Sequence, residues 1–461
     1  MKVNVMGTGY VGLVSGVCLA SKGHQVSCFD VDSEVINTLN KGIPHIKEAG
    51  LEELLTQVIA RGLFEAKHVS ENRITDCDLI LIAVGTPSNE GKIDLTYIEK
   101  AIKSIGKEVK KLEGFVSIVV KSTVLPGTVD TVVRAIIEET SGKKMGEFGL
   151  GMNPEFLREG HAVEDFLNPD RIVLGYEDGE TLDRLQQLYK PWSCDKISVN
   201  SRTAEMTKYA SNCLLATQIY AANELANIAS AIKNIDIMDV MKGVHSDKRW
   251  SPVGPSGERI LPEILNYLVP GCGFGGSCLP KDLQALQNQS DDYGVEISML
   301  NAVFEINKKQ PAQILKLLKG ALGELSGKNI LFLGLSFKPD TEDIRESVSI
   351  KIIRDLLKEK ALVHAHDPMA ISNSKREFSD EKGIEFIEEW EELLFQVDAV
   401  VVATKWEEYK ELSTPKLRNK MKGKILVDAR RFFSHTDFPD SQYLTIGHSI
   451  VYNALDRASE K

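Results

Sequence analysis

Nowhere in the 461 residues does an apolar stretch approach the roughly 18–20 residues that a bilayer-spanning helix requires. No long run of lysine or arginine interrupts an acidic balance of formal net charge -11, which argues against DNA or RNA as a partner. A few local basic residues could still hold one small anionic ligand. The chain lacks low-complexity tracts, and its seven cysteines, at 18, 28, 77, 194, 213, 272 and 278, include no C-x-x-C pair. An odd, scattered set fits reduced thiols in a cytoplasm better than a disulfide framework or a metal site. Met1 leads straight into the strand-like MKVNVMG, leaving no room for a signal peptide. The expectation is a cytoplasmic protein of two or three domains, with neither membrane nor nucleic acid as partner and no metal.

What is present is alternation. VNVMG, QVSCFD, LILIAVG, VSIVVKST, FGLGMNP and RIVLG read as short buried strands, and SEVINTLNK and LTYIEKAIKSIGKEVKKL between them have helical spacing. Strand and helix in alternation indicate a doubly wound parallel sheet over residues 1–198. Residues 202–232 contain neither Gly nor Pro and predict one long helix, which opens a helical middle domain, 199–318. A second alternating section, 319–461, contains GKNILFLGLSFKPD, ALVHAHDP, VDAVVVATKW and GKILVDAR. The expected fold is α/β: two Rossmann-like α/β domains joined by a long central helix and a helical middle domain.

MGTGYVG places Gly7, Gly9, Tyr10, Val11 and Gly12 between the first strand and a helix, and Asp30 closes the second strand 18 residues beyond Gly12. The glycines permit a tight turn and close approach to a pyrophosphate, the helix N-terminus offers amide donors, and the acid takes the ribose hydroxyls. An acid without a nearby arginine favours NAD over NADP. Thr86 in VGTPS and Thr123 in KSTVLPGT follow later strands, where the ligand crevice of an open sheet lies. A hydroxyl capping the next helix explains either threonine as well.

Further segments concentrate polar residues. Glu155 and Glu159 in NPEFLREG share a face if a helix starts there, and a solvated capping carboxylate is the alternative. Lys208 and Asn212 stand one turn apart on the long helix, with Asn223 and Asn227 further along roughly the same stripe; a solvent-facing stripe explains that spacing too. In GCGFGGSCLPKD the glycines allow backbone amides close to a ligand, Pro280 restrains the chain, and Cys278 precedes Lys281 and Asp282. A nearby cation would raise the thiolate fraction. A nicotinamide site with a nucleophilic thiol suggests oxidation through to a carboxylate, because a thiohemiacetal can give up hydride and leave a thioester. Whether the substrate enters as alcohol or aldehyde stays open on these residues alone.

GTGYVG, VGTPS, KSTVLPGT, NPEFLREG, KYASN, GFGGSCLPKD and GLSFKPDTEDIRES occur in that order over essentially the whole chain, which closely resembles the UDP-glucose/GDP-mannose dehydrogenase family. The resemblance implies an NAD-dependent four-electron oxidation of a sugar-nucleotide C6 alcohol to the uronate. UDP-glucose is the expected substrate, with GDP-mannose or a UDP-N-acetylhexosamine as alternatives and a non-catalytic nucleotide-sugar-binding relative as a remote one. Carried over by position, Cys278 resembles the nucleophile, and Lys208 and Asp282 the pair serving oxyanion and water. Asn212 resembles their amide partner, Glu155 the hydrolytic base, and Thr123 a residue beside the water. Glu159 and Arg345 match positions near the nicotinamide. Phe156, Leu157, Tyr267, Gly275, Lys338 and Arg430 match substrate contacts, and Arg249 resembles an arginine reaching the partner's substrate across a homodimer built on the long helix. There are two departures. KEAGL stands where the family has an E-P-G-L-type segment, and VGPSGERILPEIL adds about a dozen residues after Arg249.

Overall fold

The computed structural model describes residues 1–71, 77–89 and 91–448. The chain divides into two compact units: Met1–Ser211 with Gln284–Gly294, and Asn212–Leu283 with the chain from Val295 on. The boundary falls inside the helix Ser201–Ile232, 32 residues without a glycine or proline. That helix stops where Lys233 and Asn234 both turn to positive φ.

The first unit is built on β1 (Lys2–Met6), β2 (Gln25–Asp30), β3 (Phe64–His68), β4 (Leu79–Ile82), β7 (Ser117–Val120), β8 (Gly149–Met152), β9 (Arg171–Tyr176) and β10 (Asp195–Asn200), with a small hairpin of β5 (Ser88–Asn89) and β6 (Lys92–Ile93). The sheet order is β10-β9-β8-β7-β4-β1-β2-β3. Neighbours pair in parallel except β8 with β9. LILI in β4, SIVV in β7 and GLGM in β8 are buried throughout, as strands covered on both faces must be. Strand order reverses between β1 and β4, so the ligand crevice of this topology opens beyond their carboxyl ends.

The second unit carries β11 (Asn329–Leu333), β12 (Leu362–His366), β13 (Ile384–Phe386), β14 (Ala399–Val402), β15 (Ile425–Asp428) and β16 (Gln442–Thr445). All are parallel, in the order β13-β12-β11-β14-β15-β16. Both sheets are thus doubly wound and Rossmann-like, as the alternation implied. The strands the pattern did not announce, β3, β10, β13 and β16, lie at sheet edges. There one face meets solvent, and FEAKH or DKISVN carries too few apolar residues to stand out. Among the described residues no helix is long and apolar enough to cross a membrane, and no cluster of His, Cys, Asp and Glu could hold a metal ion.

Candidate active site

Beyond β1, Gly7 turns with φ 96°, and its amide donates to the Phe29 carbonyl at 2.8 Å. A Cβ on Gly12 would sit 2.1 Å from the Gly7 carbonyl oxygen, so the helix Tyr10–Ser21 packs on the turn as only glycine allows. A Cβ on Gly9 would meet no protein atom within 4 Å: there the loop faces open space at a helix N-terminus, room suited to a pyrophosphate. At the end of β2, half-buried Asp30 accepts from the Thr8 amide at 2.9 Å, from the Thr8 hydroxyl, and from the Val31 and Asp32 amides. Burial alone would raise its carboxyl; those donors hold it below the usual range. The Tyr10 hydroxyl is bonded to Glu48, which also accepts from the Gly160 and Ala162 amides at 2.8 and 2.6 Å. The segment reading KEAGL therefore ties the dinucleotide loop to the loop carrying Glu159. Thr86 and Thr123 lie half-buried in the loops past β4 and β7.

NPEFLREG is not helical, which corrects the one-face reading of Glu155 and Glu159; the next helix is Ala162–Leu167. Glu155 instead folds back to accept from the Leu157 amide at 2.6 Å and ion-pairs with Lys208 at 3.1 Å, both side chains less than a tenth exposed. Glu155 is therefore no solvated cap. Burial pushes its carboxyl up, but Lys208, the Leu157 amide and Lys121 together hold it below the usual range. Lys121, at the end of β7, was not singled out from the sequence. It is buried, donates to Asn153 Oδ1 at 2.8 Å, and is brought down to about 8 by desolvation and the charge of Lys208, with Glu155 opposing. The Phe156 ring faces the Arg171 guanidinium at 4.0 Å and the Lys208 ammonium at 5.4 Å.

In the second unit the glycine stretch leads into the helix Leu279–Asp292. The Cys278 carbonyl accepts the Asp282 amide at 2.9 Å, so the thiol occupies the N-cap, beside the positive end of the helix dipole. Of the seven cysteines it alone is exposed. Burial pushes the thiols of Cys18, Cys77 and Cys213 up to about 12, and those of Cys28 and Cys272 upward too. Asp282 is buried, with Lys281 Nζ 2.6 Å from one oxygen and Asn212 Nδ2 2.6 Å from the other. The adjoining lysine thus pairs with Asp282, while Lys208 pairs with Glu155. The asparagine stripe is structural and inward-facing: Asn223 accepts the Gly271 amide at 2.8 Å, and Asn227 donates to Gln310 at 3.0 Å. A Cβ on Gly275 would collide with the Glu346 carbonyl at 2.3 Å, and one on Gly276 with the Phe337 ring.

Other sequence-singled residues serve local contacts. Arg430 donates to the carbonyls of Ala403 and Gly273, clasping the glycine stretch. Arg345 forks onto Asp343, and its carbonyl accepts the Gly276 amide. Arg249 is exposed and forked onto Asp247. Lys338 lies 5.7 Å from the Phe337 ring, and Tyr267 is half-buried. The added segment after Arg249 forms a small hairpin closed by the bridge between Val253 and Arg259.

A doubly wound sheet ending in this glycine turn and acid defines a dinucleotide-binding domain. More specifically, the chain belongs to the UDP-glucose/GDP-mannose dehydrogenase family. Residues 1–193 match its NAD-binding domain, 202–309 its central domain and 331–435 its UDP-binding domain. It is an NAD-dependent oxidoreductase. It is 38% identical over 439 residues to a UDP-glucose 6-dehydrogenase of Rickettsia conorii, covering 94% of this chain and 96% of that one. A UDP-glucose 6-dehydrogenase of Bacillus subtilis is 37% identical over 454 residues, 98% of each. A UDP-glucose dehydrogenase structure from Pyrobaculum islandicum superposes with TM-score 0.86 at 36% identity, covering 97% of this chain and 98% of that chain.

Proposed function

We propose that this enzyme oxidises UDP-glucose to UDP-glucuronate in two hydride transfers, using Cys278 as a covalent tether between them. The observation that carries the reading is the exposed Cys278 thiol at a helix N-cap, one turn from the buried Asp282 with its Asn212 and Lys281 partners. The Gly7–Gly12 turn and Asp30 would hold NAD, which when bound would supply the hydride acceptor for both oxidations; in the first, the C6 alcohol loses a hydride and its hydroxyl proton to give the aldehyde. Cys278 Sγ adds to the C6 aldehyde and the carbonyl oxygen takes a proton, giving a thiohemiacetal. Loss of a hydride and the hydroxyl proton then leaves a thioester. Water displaces Sγ, releasing the carboxylate and restoring the thiol, for an overall use of one water and two NAD per sugar.

Lys208 opposes negative charge developing on the C6 oxygen, a contribution of about several kcal/mol in a desolvated site. Glu155, held ionised by Lys208 and Lys121, takes the proton of the hydrolytic water, with Thr123 beside it. Asn212 orients Asp282, and Asp282 serves water and oxyanion. Phe156, Leu157, Tyr267, Gly275, Lys338, Arg430 and Arg249 contact the nucleotide sugar; Thr86, Glu159 and Arg345 serve the cofactor. Three domains, 1–198, 199–318 and 319–461, divide the labour between NAD, dimerisation and the nucleotide sugar. Leu214, Leu225, Ile228 and Ile232 are exposed along one stripe of the long helix, which supports a homodimer. Seven cysteines, none of them in a disulfide, suit a cytoplasmic setting.

Purified protein with NAD and separate UDP-glucose, GDP-mannose and UDP-N-acetylhexosamines tests this. Two NADH per UDP-glucose and a uronate product are expected, with Cys278→Ser slower by orders of magnitude. One NADH per sugar with free aldehyde would end the tether mechanism, and turnover on GDP-mannose alone would reassign the substrate.

A further inference from the structure

Glu205 stands one turn before Lys208 on the long helix and is completely buried. Its two oxygens each take a backbone amide from the loop beyond β7: Gly127 N at 2.6 Å and Val129 N at 2.9 Å. Those amides belong to the start of a helical stretch, a π turn over Thr128–Val133 continued by the α-helix Arg134–Ser141. Gly127, with φ 96°, has no side chain with which to cap that stretch. An acid from another helix therefore caps it and satisfies donors that would otherwise be orphaned. The loop is also gripped from its other side, where Gln289 donates to the Pro126 carbonyl at 2.9 Å. The same loop begins with Lys121 and Thr123, and Lys121 and Lys208 both act on Glu155.

We propose that Glu205 is a positioning residue: its carboxylate pins the Gly127–Val129 turn onto the first turns of the long helix and so keeps Lys121 and Thr123 in register with Lys208. This rests on the catalytic reading above, in which those three residues act together. The charged groups facing Glu205 are Asp130, Glu177 and Arg202; Arg202 is engaged with Asp130 at 2.7 Å. Burial, opposed by the two amides and reinforced by Asp130 and Glu177, pushes the Glu205 carboxyl up to about 7. A protonated carboxyl turns one oxygen into a donor that cannot serve the amide it faces. The anchor is therefore complete above neutrality and half-released below it.

The test compares wild type with Glu205→Gln in the full-length protein, following amide exchange of residues 121–133 by mass spectrometry, corrected for intrinsic rate, from about pH 6 to about pH 8.5. Wild-type protection should rise about tenfold across that range, the equivalent of one amide hydrogen bond, and Glu205→Gln should stay at the low value throughout. In the dehydrogenase assay, kcat of Glu205→Gln should fall about tenfold with KM for the sugar nucleotide within about twofold, and the acidic limb near neutrality should disappear. Exchange in Glu205→Gln that matches wild type at every pH, or an acidic limb that stays in place, would overturn the assignment. Should Glu205→Gln fail to fold, Glu205→Asp keeps the charge but shortens the reach. It should then lose protection while retaining its pH dependence, and wild-type protection in it would equally overturn the role. Absence of dehydrogenase activity in wild type would instead sink the catalytic reading, and exchange alone would decide the anchor.

Discussion

Replacing Lys208 with methionine should cost stability in a pH-dependent way that no packing defect reproduces. In the native protein Glu155 and Lys208 lie 3.1 Å apart, both nearly excluded from solvent. Removing the cation leaves a buried carboxylate with one amide donor and the field of Lys121. Breaking a buried pair from one side costs about 3–5 kcal/mol, and the retained Lys121 argues for the lower end, about 3 kcal/mol. The sign follows from Glu155. Its native carboxyl lies below the ordinary value of 4.5, so the pair stabilises the fold above that pH and the benefit is lost on acidification. In the variant, burial dominates, the carboxyl is raised, and protonation relieves the cost as pH falls. The wild-type-to-variant difference should be largest at about pH 8, narrow as the variant's Glu155 protonates, and reach a packing residue of under about 1 kcal/mol only well below pH 4.5, at about pH 3, once native Glu155 is protonated too. For a unit of this size, about 3 kcal/mol lowers Tm by about 6–12 °C. Calorimetry at both pH values reads this, following the transition that hydrogen exchange assigns to the unit containing Glu155. An equal Tm shift at both would refute the ion-pair argument and reduce Lys208 to a packing residue.

Iodoacetamide should alkylate Cys278 far faster than Cys18, Cys28, Cys77 or Cys213, whose thiols burial raises; peptide mapping that finds any of those equally fast would contradict the site assignment. Gly12→Ala should abolish NAD binding and destabilise the first unit, because its Cβ would meet the Gly7 carbonyl oxygen at 2.1 Å. Gly9→Ala should melt like wild type and still bind NAD at least about tenfold more weakly in titration, since its Cβ enters only the open space reserved for pyrophosphate. If the proposed homodimer forms on the exposed stripe of the long helix, Ile228→Glu should sediment as a monomer where the wild type sediments as a dimer; an unchanged sedimentation coefficient would refute that stripe as an interface.

The architecture was legible because buried parallel strands announce themselves. LILI, SIVV, AVVV and ILVD are runs buried throughout, apolar but for Ser117 and Asp428 at their ends, and the long helix is a stretch empty of glycine and proline. Edge strands were not legible, since alternation such as FEAKH is weak over five residues. At the site, residue types could be read but pairings could not. Lys281 and Lys208 are both plausible partners for Asp282 in sequence, and only the fold sends Lys208 to Glu155. Lys121, Glu48 and Glu205 escaped notice because each lies inside or beside a motif whose neighbours drew attention. Their roles depend on which backbone amides or carboxylates sit opposite, and spacing cannot supply that.

Both sheets open with the same local device, and its two copies diverge for a physical reason. Gly334 follows β11 with φ 100° and donates to the His366 carbonyl at 2.9 Å, as Gly7 does to Phe29. Asp367 follows β12 as Asp30 closes β2. Asp367, however, is fully buried: it accepts from the Leu335 and Ser336 amides, the Ser336 hydroxyl and the Trp406 indole on one oxygen, and from the Met369 and Ala370 amides on the other. A carboxylate has about four lone-pair sites, so no capacity remains for a ribose. Ser336 also stands where the first copy has Gly9, and its side chain is buried rather than leaving an open cradle. The second acid is thus a fastener of the β11 turn, whereas Asp30 stays half-buried at an open crevice. A nucleotide bound by the second unit must therefore be recognised through groups other than the strand-end acid, which leaves room for the role proposed for the half-buried Lys338 of FKPD.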